Sequence, residues 1–258
     1  MLDGLKLAFG TLTAIPVPAP ARIDRRVAGR AMALAPLTQL PLACALLLWG
    51  WVVREVPVPS LVAAAVTLVA ISLATRGMHL DGLADTADGL SASYDRAKAL
   101  EVMRRGNLGP SGVAAVVLVL MVDAAALASL LTTWRGVVLV CISLLASRQL
   151  LAWGCSTGVP SARPEGLGAT VAGSVHKVVV ALGFVLLVGI SALASHWSGS
   201  TWWTGPVAAG SAAVGGVAVI HRTTRRLGGI TGDVLGAVIE VSFAMALAAS
   251  ALLVTVIR

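Results

Sequence analysis

Long apolar stretches alternate with short polar segments along most of the chain. A stretch of roughly 20 mostly apolar residues is long enough to cross a bilayer as a helix. Seven stretches meet this condition: 32–53, 56–75, 113–134, 136–153, 178–195, 202–220 and 234–257. The fourth is the weakest, because Arg148 interrupts it near one end. The pattern predicts an all-α, polytopic integral membrane bundle of about seven transmembrane helices, forming a single membrane-embedded domain over residues 1–258.

Composition supports the membrane assignment and excludes two other classes. The chain is 57% hydrophobic and only 12% charged, with a mean hydropathy of +0.90. An ordinary soluble domain carries about twice that fraction of charge, and a disordered chain needs low hydrophobicity. The net charge of +7 does not indicate nucleic-acid binding, because so apolar a surface would aggregate in water.

The basic residues instead predict the orientation of the spans. When the seven spans alternate, all but three of the 19 lysines and arginines fall on one side. The exceptions are Arg54, Arg135 and Arg258. The positive-inside rule places the basic side, and with it the N-terminus, in the cytoplasm. Six tryptophans lie near the opposite interface, where indole rings anchor: Trp49, Trp51, Trp134, Trp197, Trp202 and Trp203.

Three aspartates between the second and third spans carry the strongest chemical signal. Asp81, Asp85 and Asp88 stand at positions i, i+4 and i+7, so on a helix they share one face. Three like charges on one stripe repel each other, which indicates that the stripe holds a cation. Carboxylate oxygens in this number suit Mg²⁺ or Mn²⁺. A solvated acidic loop is the alternative, although it needs no regular spacing.

A glycine-rich segment at the start of the last span contains two further acids. Gly229, Thr231 and Gly232 lead into Asp233, at a predicted helix start whose free N–H groups favour anions. A glycine-rich connector with a helix cap would explain Asp233 alone. It does not explain Glu240, two turns inside the membrane, where an acid is costly and indicates function.

Several basic and polar residues on the same side are candidates for phosphate binding. Arg104 and Asn107 lie in a basic, glycine-rich segment, and Arg148 and Arg163 form a further group near the membrane surface. A basic patch on the membrane surface is the alternative. Asp123, near the middle of the third span, either pairs with Arg148 or lines a cavity, and the sequence leaves both open.

Segment 79–90, HLDGLADTADGL, closely resembles the signature of the cobalamin synthase family, the adenosylcobinamide-GDP ribazoletransferases. Segment 227–240 resembles the C-terminal motif of that family, and segments 11–18 and 163–168 resemble its N-terminal and central blocks. One block departs from the family pattern. Arg105 stands where many members have an acid, so no acidic role is assigned there.

The resemblance implies a Mg²⁺-dependent enzyme of the inner membrane. It would join adenosylcobinamide-GDP to α-ribazole, or to its 5′-phosphate, giving adenosylcobalamin or its phosphate and GMP. The expected metal ligands are Asp81, Asp85, Asp88 and Asp233. One of the aspartates, or else His79, would accept the hydroxyl proton. The expected substrate-binding residues are Arg104, Asn107, Arg148, Arg163, Gly229, Thr231, Gly232, Asp233 and Glu240.

Three other functions are weighed against this interpretation. A CDP-alcohol phosphotransferase also sets aspartates over Mg²⁺, but its Ala-Arg pair and longer glycine spacer are missing here. An ion-coupled transporter predicts ionisable groups near the midplane, where only Asp123 clearly lies. A non-catalytic scaffold leaves the aspartate stripe unexplained. The expected partners are the two substrates and the lipid bilayer, without nucleic acid, and a homo-oligomer is left open.

Overall fold

The computed structural model describes residues 1–256 as helices joined by loops. The α-helices are α1 (Leu2–Leu12), α2 (Arg25–Ala33), α3 (Leu40–Glu55), α4 (Ser60–Ala74), α5 (Met78–Ala92), α6 (Arg96–Arg105), α7 (Pro110–Leu130), α8 (Trp134–Gly154), α9 (Leu167–Val171), α10 (Lys177–Trp197), α11 (Thr204–Leu227) and α12 (Gly232–Val256). A short 3-10 helix, Ala35–Gln39, leads directly into α3. The predicted all-α architecture is confirmed for these residues.

Each of the seven predicted apolar stretches is helical in the structure. Six helices among the described residues are individually long and apolar enough to cross a membrane: Ala35–Glu55, α7, α8, α10, α11 and α12. The seventh, α4, is only 15 residues long and passes the same test together with α5. The chain is therefore a multi-pass membrane protein. The predicted end of the last span at residue 257, and Arg258, lie outside the described residues.

A sharp bend between α4 and α5 turns the aspartate helix across the end of the bundle. The axes of the two helices differ by 89°. Two consecutive residues with positive φ, Arg76 at 57° and Gly77 at 66°, make the turn. Glycine adopts this conformation easily, whereas arginine rarely does. The Arg76 guanidinium donates to the Gly10 carbonyl at 3.0 Å, which ties the bend to the end of α1.

Helices α8 and α12 form the centre of the bundle. Helix α12 packs against α5, α7, α8 and α11, and α8 is the most enclosed of the candidate spans. The fourth predicted span is confirmed as an unbroken helix despite Arg148. Its charge is tolerated because Arg148 lies inside the bundle, fully buried, and does not face lipid.

Loops at the α5 end of the bundle are joined by arginine side chains and by two isolated backbone bridges. The bridges pair Ser156 with Val175 and Ser161 with Ile230. Arg96 donates to the Ala162 carbonyl at 3.0 Å, so α6 is tied to the loop before α9. These contacts hold the loop over the ends of α5 and α12, which is where the predicted site residues lie.

Candidate functional site

The three aspartates of segment 79–90 lie on one helix, as their spacing predicts. Asp81 is exposed in the first turn of α5, Asp85 is half-buried one turn later, and Asp88 is buried. Because α5 crosses the end of the bundle, this acidic stripe faces the loops and not the membrane core. We call this end of the molecule the carboxylate face.

Close packing of α5 on the start of α12 brings a fourth carboxylate to the stripe. A Cβ atom on Gly82 would lie 2.7 Å from the Asp233 carbonyl oxygen, and one on Gly236 would lie 3.1 Å from that of His79. The two backbones approach this closely only because neither position has a side chain. Segments 79–90 and 227–240 therefore meet at these two glycines.

The charges of Asp81, Asp85 and Asp233 are only partly compensated. Burial, together with repulsion from Asp81, Asp233 and Asp88, raises the pKa of Asp85 to about 6. The nearby cation is Arg163, whose Nη1 lies 3.7 Å from Asp233 Oδ2. Nη2 of the same guanidinium donates to the Leu100 carbonyl at 2.9 Å, which fixes its position. The group therefore presents an excess of negative charge beside one anchored arginine.

Asp88 makes different contacts from the other two aspartates of the stripe. Its Oδ2 accepts from the Gly109 N–H at 2.7 Å, and its Oδ1 accepts from the Gly112 N–H at 2.8 Å. These N–H groups belong to the first turn of α7, where a carboxylate is favoured by the helix dipole. Asp88 is only 5% exposed. In the structure it caps and anchors α7, a role that its spacing did not reveal.

His79, Arg148 and Glu240 form a buried group beneath the carboxylate face. Arg148 Nη2 lies 3.5 Å from His79 Nδ1, and Glu240 Oε1 lies 3.9 Å from the same nitrogen. Arg148 Nη1 donates to Ser147 Oγ at 2.9 Å. This position corrects the prediction that Arg148 lies near the surface with Arg163. It contacts His79 within the bundle instead, because a guanidinium in a membrane helix needs polar neighbours.

The contact with Arg148 favours one tautomer of His79. Since a guanidinium can only donate, a hydrogen bond from Arg148 to Nδ1 requires the ring proton to lie on Nε2. Burial, with the charge of Arg148 as a second cause, lowers the pKa of His79 to about 3, so the ring is neutral near pH 7. Nε2 has no hydrogen-bond partner among the described residues. His79 thus offers an N–H donor at Nε2.

Asp123 lies in the middle of α7 and is 1% exposed. Both of its carboxyl oxygens are without a hydrogen-bond partner among residues 1–256, and the ion pairs described there do not include it. The predicted alternative in which Asp123 pairs with Arg148 is therefore wrong for the described residues. Glu240 is a second buried carboxyl group within the spans, on helix α12, which packs against α7.

The other predicted binding residues fall into two groups. Arg104 and Asn107 are exposed at the end of α6 and in the loop that follows. Thr231 is structural in part: its Oγ accepts from the Val234 N–H and donates to Asp233 Oδ2, both at 3.2 Å. Gly229 is buried with a φ of 154°, against the Pro160 carbonyl. Gly229 and Thr231 therefore shape the loop that presents Asp233.

A cavity of about 180 Å³ lies beside the carboxylates. His79, Asp81, Gly232 and Asp233 line it on one side. Apolar side chains from the N-terminal helices and α8 line the rest: Leu12, Met32 and Leu151, with Thr11 at the edge. The position of Met32 in this wall was not predictable from the sequence, because it depends on how α2 folds back against the bundle.

The donor set fits a magnesium ion that is shared with substrate. Among residues 1–256, no three His, Cys, Asp or Glu side chains converge as a complete metal cage. Mg²⁺ usually binds through only one or two carboxylates and takes its other ligands from water and substrate phosphates. Any two of Asp81, Asp85 and Asp233, which together carry excess negative charge, would match that mode. Asp88 fits less well, because both of its oxygens already accept N–H groups.

Known proteins are similar to this chain over almost its whole length. A family model described as cobalamin-5-phosphate synthase matches residues 4–251. A relative from a Nocardioides species, named adenosylcobinamide-GDP ribazoletransferase, is 44% identical over 96% of this chain and 98% of its own. Relatives of the same name from Frankia casuarinae and Acinetobacter baumannii are 38% and 31% identical. The first covers 96% of this chain and 94% of its own, and the second covers 91% of each.

No solved structure matches the chain. The assignment therefore depends on the family model and on the relatives, which agree with each other and match almost end to end. Segments 79–90 and 227–240, which resemble motifs of this family, are brought together on the carboxylate face. The chain belongs to the cobalamin-5-phosphate synthase family.

Proposed function

We propose that the chain is an adenosylcobinamide-GDP ribazoletransferase. It joins adenosylcobinamide-GDP to α-ribazole, or to α-ribazole 5′-phosphate, and yields adenosylcobalamin, or its phosphate, and GMP. The relatives carry the name of this activity. The structural observation that supports it is the meeting of Asp81, Asp85 and Asp233 from two helices, beside the anchored Arg163.

The proposed reaction is a phosphoryl-type transfer. A ribose hydroxyl oxygen attacks the phosphorus attached to cobinamide, the bond from that phosphorus to the bridging oxygen breaks, and GMP leaves with the bridging oxygen. Such a reaction depends on positioning and on neutralising phosphate charge more than on a covalent protein intermediate. The site therefore needs groups that hold a diphosphate, a group that takes up the hydroxyl proton and cations near the leaving phosphate.

Asp81, Asp85 and Asp233 are the residues that we assign to Mg²⁺. When bound, the cation neutralises the diphosphate and favours attack at phosphorus. Where Asp81 and Asp233 hold the cation, we assign the uptake of the hydroxyl proton to Asp85, the half-buried carboxylate beside them. Asp88 acts through position: it fixes the start of α7 against α5 and thereby fixes the helix that carries the other two aspartates.

Arginine and histidine side chains supply the donors for the phosphates. Arg163 is anchored by the Leu100 carbonyl and lies beside Asp233, so it is placed to hold the leaving phosphate. Arg104 and Asn107 are exposed, and we assign them to binding the outer part of the nucleotide. His79 donates a hydrogen bond from Nε2 and does not act as the base, since Arg148 faces its acceptor nitrogen. Arg148 is then a positioning residue for His79, whereas the Glu240 carboxylate lies 3.9 Å from the same nitrogen, too far for a hydrogen bond.

Replacement of single carboxylates tests the assignment. Full-length protein in phospholipid vesicles would be assayed with adenosylcobinamide-GDP, α-ribazole and Mg²⁺, and Mg²⁺ binding would be measured separately by calorimetry. Asp81→Asn, Asp85→Asn and Asp233→Asn are expected to weaken Mg²⁺ binding and to lower turnover. Glu55→Gln, an exposed acid at the other end of the bundle, is the matched control. Retention of full Mg²⁺-dependent activity by all three variants would refute the metal assignment, and the absence of any cobamide product would refute the activity.

The proposed location is the inner membrane, with the carboxylate face in the cytoplasm. The excess of lysine and arginine on that side supports this orientation. The buried carboxyl groups of Asp123 and Glu240 are the features that an ion-coupled transporter would use. Family membership favours the transferase, and formation of a cobamide product in the assay above distinguishes it from a transporter.

A further inference from the structure

An apolar groove of about 450 Å³ runs beneath the aspartate helix, on the side away from the carboxylates. Leu83 and Leu90 of α5 form its roof, Val214 and Ala218 of α11 form one wall, and Met245 of α12 forms part of the other. Scarcely any polar surface lines it apart from its end at Arg222. The groove is distinct from the cavity that His79 and Asp233 line.

The groove opens toward the lipid bilayer. Helices α11 and α12 are both candidate spans, and α5 crosses their ends after the 89° bend. Val214 is 64% exposed and Met245 is 41% exposed, so the rim of the groove is apolar at membrane depth. Exposed apolar side chains on a spanning helix face hydrocarbon. An empty apolar space there forfeits dispersion contacts on every wall, so an acyl chain is the natural filler.

The end of the groove nearest the carboxylate face carries positive charge. Arg222 lines the groove, is exposed, and forms none of the ion pairs found within residues 1–256. Arg225, also exposed, follows on the same helix. From Val214 to Arg222 is about two turns of helix, or roughly 12 Å. The acyl chains of one leaflet, half of a hydrocarbon core of about 30 Å, are long enough to cover this distance. Basic side chains at the interface attract anionic headgroups.

We propose that this groove binds one anionic phospholipid, with an acyl chain between α5, α11 and α12 and its phosphate against Arg222. The lipid belongs to the leaflet next to the carboxylate face. It completes the packing on the underside of α5, whose upper side carries Asp81 and Asp85. The site does not depend on the proposed transferase activity, since only the shape of the groove, its lining and its terminal charge support it.

Photocrosslinking from within the membrane tests the proposal directly. The full-length chain would be placed in nanodiscs of phosphatidylcholine containing phosphatidylglycerol with a diazirine on one acyl chain, irradiated, and mapped by mass spectrometry. Adducts are expected on peptides that contain Leu90, Val214 and Met245. Ala218→Trp fills the groove from an exposed wall position and is expected to reduce these adducts several-fold. Leu186→Trp, at a 64% exposed position on α10, is the matched control and should leave them unchanged.

The charge and the occupant are tested by two further comparisons. Arg222→Gln is expected to remove the preference for the phosphatidylglycerol probe over a phosphatidylcholine probe of the same chain. Met245→Trp fills the groove from the opposite wall, so it replaces Ala218→Trp if that variant fails to fold. Adducts that are unchanged in the filled variants, or no stronger than those on α10, would overturn the proposal. So would crosslinks between two copies of the chain through the groove residues, since they would identify a second protein as the occupant.

Discussion

Replacement of Asp88 by asparagine separates a structural role from metal binding. The two carboxylate oxygens of Asp88 accept the N–H groups of Gly109 and Gly112 at 2.7 and 2.8 Å, inside the protein. Asparagine has the same shape, but only one of its two terminal atoms accepts a hydrogen bond. Its amide group would therefore face one glycine N–H donor with another donor.

The expected loss of stability follows from these two bonds. A hydrogen bond to a charged group contributes about 1.5 to 3 kcal/mol, and a buried donor left without an acceptor costs about 1 to 3 kcal/mol. Loss of the carboxylate charge at the start of α7 removes a further contribution of about 0.3 to 1 kcal/mol. Since these contributions overlap, Asp88→Asn is expected to destabilise the protein by about 3 kcal/mol.

The assay compares unfolding with metal binding in the same preparations. Unfolding would be followed by titration with denaturing detergent, and Mg²⁺ affinity by calorimetry on the folded protein. Asp88→Asn is expected to unfold at lower detergent and, once folded, to keep most of its Mg²⁺ affinity, unlike Asp85→Asn. Gly112→Ala should reproduce the loss of stability, because its Cβ would collide with the Asp88 carboxylate. Wild-type stability combined with lost Mg²⁺ binding in Asp88→Asn would refute the capping role.

Three further outcomes are expected. His79→Gln, which keeps an N–H donor near the position of Nε2, should retain more turnover than His79→Asn, and equal loss in both would contradict the donor role. Asp123→Leu removes a buried carboxyl group without a partner among residues 1–256, so stability measured by detergent titration should rise by about 1 to 3 kcal/mol with turnover unchanged. Lost turnover in folded protein would show that Asp123 takes part in the reaction. Because the pKa of Asp85 is raised to about 6, the folded metal-free protein holds a proton that the unfolded chain has released, so stability should fall as pH rises from 3.8 toward about 6. Calorimetric Mg²⁺ affinity should rise over the same range, and Asp85→Asn should flatten both trends.

The spans and the aspartate stripe were predictable because each depends on local periodicity. Seven apolar stretches became seven helices, and the spacing of Asp81, Asp85 and Asp88 placed them on one face of α5. The arrival of Asp233 beside them was implied only by the resemblance between segments. Its physical cause, the close approach at Gly82 and Gly236, depends on how two distant helices cross.

The roles of Asp88 and Arg148 could not be predicted from the sequence, because they too depend on contacts between distant helices. Asp88 has the spacing of a metal ligand, yet its oxygens face the N–H groups of a helix that begins more than twenty residues later. Arg148 looks like an interfacial residue in the sequence, since nothing local indicates that His79 and Glu240 surround it. The role of each residue depends on side-chain and backbone partners from other helices. Such pairings do not appear as a regular spacing in a single sequence.

The burial of Arg148 also constrains how the protein is made. During synthesis α8 enters the membrane well before α12, so it must first insert without α12 packed against it. On insertion scales an arginine costs about 2.5 to 3.5 kcal/mol at the centre of a helix, which is the upper bound for Arg148. The inserted state of helix α8 is therefore only weakly stable until α12 enters the membrane and packs against it. The insertion of α8, the fourth predicted span, is thus completed only when the last helix packs against it. In a chain truncated before α12, helix α8 would be able to leave the membrane again.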